Sequence, residues 1–420
     1  MNARMALDKL KEWMVVAFLF LVPIYYNPYI GGDARESQEK FFQGMAMVVA
    51  SLFFGNIWYT CFFLLNMVLF VVYGASTGGG QVLNVFVTGL LFACSRNFFK
   101  NREIKPYLRG LYAVLALSLF YSIFQFFRAE LLGFPMSAGG QIMTGMHNNI
   151  NGMFYHTIFH SMFMAIMLPA LVLAGWWVGW LLIIPIGLLK CSGAILATAF
   201  VVPFIIFFKR RKLFIPTVVI MALLGGGFTI YDHTTDPKTY TSRFYSWHMM
   251  IRYTWMNPLG WGPDSFRNHN RFKKFTFHSD EEYYPMVMKK VDKDTEVLTY
   301  YSIDPREVPQ YLKDKMAKAN GQWSKWQEAH NEFLEFPFQY GLFGIIFMGL
   351  FIMEIIKRFM VSDKTDEVLI LFAILCVYAL SSTTQFPLHV ARLGGLIGVI
   401  LGAYFAKTDR SYNLVRGEDE

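Results

Sequence analysis

Among the side chains of the polar stretch 232–331, two stand out for chemistry at neutral pH: Arg243 near its start and His330 near its end. An imidazole can take a proton from a hydroxyl in this pH range. It can equally rest bonded to a neighbouring carbonyl at a membrane surface. Glu335 follows inside the next apolar span, where an ionisable group marks a site unless it snorkels to the interface. Arg243 stands beside Thr241 and Ser242 at the start of an expected helix. Its planar guanidinium there suits a bidentate phosphate contact, or else a solvated helix-end charge. Trp247 shares its helical face. Arg252 falls on the opposite face, so the two arginines cannot serve one site from one straight helix. Arg252, Arg267 and Arg271 are alternatively surface charges near anionic lipid.

A second polar cluster runs from Thr144 to Gly152 and contains His147, Asn148, Asn149 and Asn151. Amides and an imidazole can bind sugar hydroxyls or phosphate, and a plain polar loop has the same composition. His156 and His160 follow on one helical face, to pair with interior carboxylates or to sit as satisfied core residues. No Gly-x-Ser-x-Gly, His-Glu-x-x-His or phosphate-loop pattern is present, and no Asp-x-Asp pattern suggests a metal site. Cys61, Cys94, Cys191 and Cys376 lie in or beside apolar spans without ligand spacing, so neither a disulfide framework nor zinc is expected.

The elements that position these groups are apolar helices. The chain has 420 residues, 55% of them hydrophobic and 16% charged, well below the roughly 25% charge of soluble domains. A bilayer crossing needs about 20 apolar residues. On that measure candidate spans lie near 13–30, 41–56, 58–74, 81–97, 107–127, 153–173, 175–189, 192–208, 213–231, 332–354, 367–384 and 389–406. The expected class is therefore an all-α polytopic membrane protein of about twelve spans. The expected division is 1–231 for the first nine spans, 232–331 for a large, partly helical outer loop, and 332–420 for the last three spans and a tail.

Basic clusters orient the spans. Lys9 and Lys11, then Arg96 to Lys105, Lys209 to Lys212, Lys357-Arg358, and Lys407 with Arg410 all fall on one side of a twelve-span count, the cytoplasmic side by the positive-inside rule. Both termini are then inside and the large loop outside. The net charge of +8 needs no nucleic acid. Within the loop, 239–256 reads as one helix stopped by Asn257-Pro258. Residues 280–320 read as a helical or irregular flap, Trp323 and Trp326 as part of an interfacial helix, and Pro337 as a kink in the tenth span.

The ordered set Arg243-x-x-x-Trp247, Asn257-Pro258-Leu259-Gly260-Trp261-Gly262, and His330-Asn331-Glu332-Phe333-Leu334 running into Tyr340-Gly341-Leu342-Phe343-Gly344 resembles the O-antigen ligase and O-antigen polymerase superfamily. The resemblance is strongest over 240–345, with weaker matches at Asn151, Pro169 and Phe386–His389. It implies a bacterial inner-membrane enzyme with its active site facing the periplasm. Such an enzyme moves a glycan from an undecaprenyl diphosphate carrier to an acceptor hydroxyl, without a metal or cofactor and with inversion. The acceptor is lipid A–core for a ligase or a second carrier-linked glycan for a polymerase, and ligase is the first choice. The resemblance further implies that Arg243 contacts the diphosphate and His330 acts at the acceptor. Many relatives carry Ser-Arg-Gly before the eighth span, where this chain has Cys191-Ser192-Gly193. Lys190, Arg252 or Arg35 is then the candidate second cation. A transporter for lipid-linked sugars is the alternative class, and it would need ionisable groups in the middle of several spans.

Overall fold

The structure is a computed structural model, and it describes Lys9 and residues 80–126, 157–189, 191–235, 247–248, 250–261, 273–278, 290–292, 297–303, 322–325, 331–385 and 391–416. The expected first three spans lie outside these residues. From the fourth expected span onward each apolar stretch is helical: α1 is Gly80–Phe99, α2 Lys105–Phe126 and α3 Thr157–Leu173. A 3-10 turn at Trp177–Leu182 leads into the short α4, Ile183–Leu188, and then come α5, Ser192–Lys209, and α6, Phe214–Thr235. Residues 247–248 and 250–256 are helical and make up α7. After a sheet come α8, Glu332–Val361, α9, Asp366–Ser382, and α10, Ala391–Arg416. Helix dominates, as the all-α expectation has it. Among the described residues α5 and α8 are long and apolar enough to cross a bilayer, while α3 and the Trp177–Leu188 segment are apolar but shorter.

The chain divides into two compact units, one of Met1–Gly225, Met353–Ser382 and Pro387–Glu420, the other of Gly226–Ile352 with Thr383–Phe386. In the first unit α3 is the centre. Almost every residue from Phe159 to Leu171 is buried, the pattern of a helix apolar on all sides that is walled in by others. It packs on α2, α5 and α9. His160 lies on this helix, and the second of the two readings for it holds. Its Nδ1 meets the Ser118 hydroxyl at 3.2 Å and its Nε2 the Ser122 hydroxyl at 2.9 Å. Ser122 spends its own proton on the Ser118 carbonyl. With that proton spent, Ser122 accepts from Nε2–H, so both ring nitrogens of His160 have a hydroxyl partner.

Helices α1 and α10 pack in direct backbone contact. A Cβ on Gly398 would stand 2.6 Å from the Thr88 carbonyl oxygen, and one on Gly402 would stand 2.6 Å from the Ser95 Cβ. These two glycines, four residues apart, let the backbones touch in the manner of small-residue steps in membrane helices. The Ser95 hydroxyl then donates across the seam to the Val399 carbonyl at 2.6 Å.

Arg96, Lys209, Arg358 and Lys407, from four of the five basic clusters, are held by ion pairs in this unit. Arg96 forms a fork to the Asp409 carboxylate at 2.9 and 3.0 Å. Arg358 reaches the same carboxylate at 2.6 Å and Glu354 at 2.7 Å, with its guanidinium between the rings of Phe405 and Tyr412. Lys209 pairs with Asp366 at 2.7 Å and Lys407 with Glu367 at 3.1 Å. Glu367 also accepts from the Ile104 backbone. Lys364 closes the end of α8 by donating to the carbonyls of Phe359, Met360 and Ser362. Burial pushes its ammonium below the usual lysine range, opposed by the neighbouring Asp363.

In the second unit a four-stranded antiparallel sheet replaces the flap and interfacial helix expected for the loop. Its strands are β1, Lys273–His278, β2, Lys290–Asp292, β3, Val297–Ile303, and β4, Gln322–Lys325, in the order β2-β3-β1-β4. Trp323 is thus a strand residue, opposite Phe275 of β1. The runs Phe275-Thr276-Phe277 and Val297-Leu298-Thr299-Tyr300-Tyr301 are rich in β-branched and aromatic residues, and the loop's prolines fall outside the strands. That signal was present in the sequence and was outweighed by the surrounding charge.

Candidate functional site

Within the second unit α7 ends where the sequence places its stop, before Asn257-Pro258. The next residues make a tight turn: the Gly260 N–H donates to the Asn257 carbonyl at 2.9 Å, and the Asn257 side-chain amide donates to the Gly260 carbonyl at 2.7 Å. Trp261 then folds back, its indole N–H donating to the Tyr253 carbonyl at 3.0 Å. Its ring lies edge-on to Tyr253 and stacks on Phe338 with centroids 6.2 Å apart.

This turn is seated in a break in α8. Gly341 has φ 62° and ψ −146°, a conformation essentially confined to glycine. The expected kink at Pro337 is therefore displaced to Gly341, while Pro337 stays within the first helical segment. The break frees backbone groups on both sides, and the turn satisfies two of them. The Leu342 N–H donates to the Pro258 carbonyl at 2.8 Å, and the Trp261 N–H donates to the Phe338 carbonyl at 3.0 Å. The approach leaves no room for side chains at either glycine. A Cβ on Gly260, which has φ 87°, would overlap the Gln339 carbonyl and stand 2.6 Å from the Gly341 nitrogen. A Cβ on Gly341 would overlap the Pro258 carbonyl.

Of the ten residues that the sequence assigns to the transfer site, four are described. Asn331 is buried and caps α8, its side-chain oxygen accepting from the Leu334 N–H at 3.2 Å. Glu335 lies one turn on, buried, and accepts from the Gln339 amide at 3.0 Å. Trp247 is half-buried and Arg252 exposed, both on the helical stretch that leads into the turn. Arg243, His330, Lys190, Arg35, His147 and Asn151 lie outside the described residues. The structure therefore brings together the Asn257–Trp261 motif and the Asn331–Leu342 motif, far apart in the chain. It adds Gly260, Gly341, Trp261 and Gln339, which sequence analysis quoted within motifs or passed over without assigning a role.

Chemically, the arrangement is a rigid corner. One arm is α7 with Arg252, and the other is the first segment of α8, whose positive dipole end at Asn331 directly follows His330 in the chain. No family model matches this chain, and no curated protein matches it.

Proposed function

We propose that this chain is a glycan transferase of the bacterial inner membrane, taking an undecaprenyl diphosphate-linked glycan as donor and an acceptor hydroxyl on the periplasmic face. The reading favoured is an O-antigen ligase, with lipid A–core as acceptor. A polymerase that uses a second carrier-linked glycan is the runner-up. In this reading the chain crosses the bilayer about twelve times, with both termini cytoplasmic.

The observation that carries the proposal is the interlock at Gly260 and Gly341. The motifs that carry the resemblance are separated by about seventy residues of loop, a separation that closes only at a modest entropic cost. Their backbone contact gives them a shared structural reason to occur together. The chemistry fits the residue types. A diphosphate is a good leaving group, so guanidinium groups such as Arg243 stabilise its developing charge. A sugar hydroxyl is a weak nucleophile until a base such as His330 takes its proton. Attack at the anomeric carbon from the face opposite the leaving diphosphate inverts configuration.

The bonding of His160 weighs against the transporter alternative. Both ring nitrogens of that histidine are engaged by serine hydroxyls, a bonding that suits a core residue.

The test is incubation of purified protein with a carrier-linked glycan plus either lipid A–core or a second carrier-linked chain. Product mass separates ligase from polymerase, and absence of either product rejects both.

A further inference from the structure

Helix α7 carries a polarity gradient along its exposed side. His248 and Arg252 are exposed toward its beginning, with Ile251, 45% exposed, between them. Toward its end the exposed side chains turn apolar: Trp255 is 71% exposed, Met256 58% and Leu259, in the following turn, 77%. Met250 and Tyr253 on the opposite side are fully buried, so the helix is held by one face and presents the other. Exposed apolar side chains of this size in a row mark a binding surface.

The hydrogen bond from the Leu342 N–H to the Pro258 carbonyl sets the level of this surface. It places the turn beside the start of the second segment of α8, where Leu342, Phe343, Ile346, Phe347 and Leu350 are exposed in turn. That segment belongs to one of the two helices, among the described residues, apolar enough to cross a bilayer. The apolar end of α7 is therefore continuous with a surface suited to lipid. Arg252 stands about 4.5 Å back along the axis from Trp255, at 1.5 Å per residue.

We propose that α7 and its turn are seated in the interfacial layer of a phospholipid bilayer. Leu259 and Met256 enter the upper acyl region, Trp255 sits at the carbonyl level, and Arg252 meets lipid phosphates. Amphipathic aromatic rings settle at that boundary, and a cation gains there from anionic headgroups. The glycine interlock converts this anchoring into a defined depth for the corner, because a backbone contact with no side chain between cannot slide. The proposal does not depend on the transfer reaction.

The test uses the full chain in nanodiscs of phosphatidylcholine and phosphatidylglycerol, with a nitroxide attached in turn at His248→Cys, Trp255→Cys and Leu259→Cys. Wild-type chain carried through the same labelling supplies the background from native cysteines. Collisional relaxation by oxygen and by a water-soluble nickel chelate reads depth. The expected result is an oxygen-to-nickel ratio severalfold higher at 255 and 259 than at 248. Equal nickel accessibility at all three positions overturns the proposal by putting the surface in water. Shielding of 255 and 259 from both reagents overturns it by putting protein there, whether another part of the chain or a second copy. Met256→Cys gives an independent reading should the Trp255 variant fail to fold.

Discussion

Gly260 and Gly341 meet backbone to backbone, and a Cβ on Gly260 would stand 2.6 Å from the Gly341 nitrogen while a Cβ on Gly341 would stand 2.6 Å from the Gly260 nitrogen. Each has a positive φ, 87° and 62°, so each is glycine for two reasons at once: conformation and space. The contact joins a turn to a broken helix, and each supplies hydrogen bonds that the other lacks.

Gly260→Ala and Gly341→Ala are each expected to destabilise the protein by about 3 kcal/mol or more, since a positive-φ residue alone costs of order 1–3 kcal/mol and steric overlap adds to it. Thermal unfolding in detergent checks this. A variant with unchanged Tm at either position would mean that the turn is not seated in the break.

The Asp409 carboxylate holds two guanidinium groups, Arg96 and the buried Arg358. Asp409→Ala leaves Arg358 short of a counter-charge in a site where it is 7% exposed. Removing one partner of a buried pair costs about 3–5 kcal/mol. Glu354 remains as a second partner, so the lower end of that range is expected. Arg96 is nearly half exposed, and Arg96→Ala should cost under about 1 kcal/mol. Comparing the Tm of the two variants separates the buried pair from the exposed one.

Gly402→Leu is expected to push α1 and α10 apart, because even a Cβ there stands 2.8 Å from the Arg96 nitrogen. Overpacking of this kind costs about 1–3 kcal/mol where neighbours can shift, and backbone neighbours shift least. A cysteine introduced at Thr88 should become reactive to a thiol reagent in the Gly402→Leu background and stay protected when Gly402 is retained.

If His330 is the base, transfer requires its neutral form. The rate should fall at acid pH, where a protonated imidazole can no longer take a proton. His330→Ala should remove both the activity and this dependence. A pH profile unchanged by the substitution rejects the assignment.

Much of the helical layout was legible from residue types alone. Apolar runs such as 192–208 and 332–354 become α5 and α8 because an apolar stretch of that length has few other ways to satisfy its backbone. The stop at Asn257-Pro258 was legible for a local reason, since proline excludes helix from the residue before it. The strands β1 to β4 were not read, because alternation over a few residues is a weak signal inside a charged loop.

The tertiary structure alone decided which distant residues touch. Sequence marked Pro337 as the kink because proline breaks helices locally. The break falls at Gly341 because a turn some eighty residues earlier supplies the donor and acceptor that a broken helix needs. Likewise the glycine step at Gly398 and Gly402 has meaning only against the backbone of α1. Local propensity is written along the chain, but the satisfaction of backbone groups and the exclusion of a Cβ depend on what packs against them. Only the folded chain supplies that.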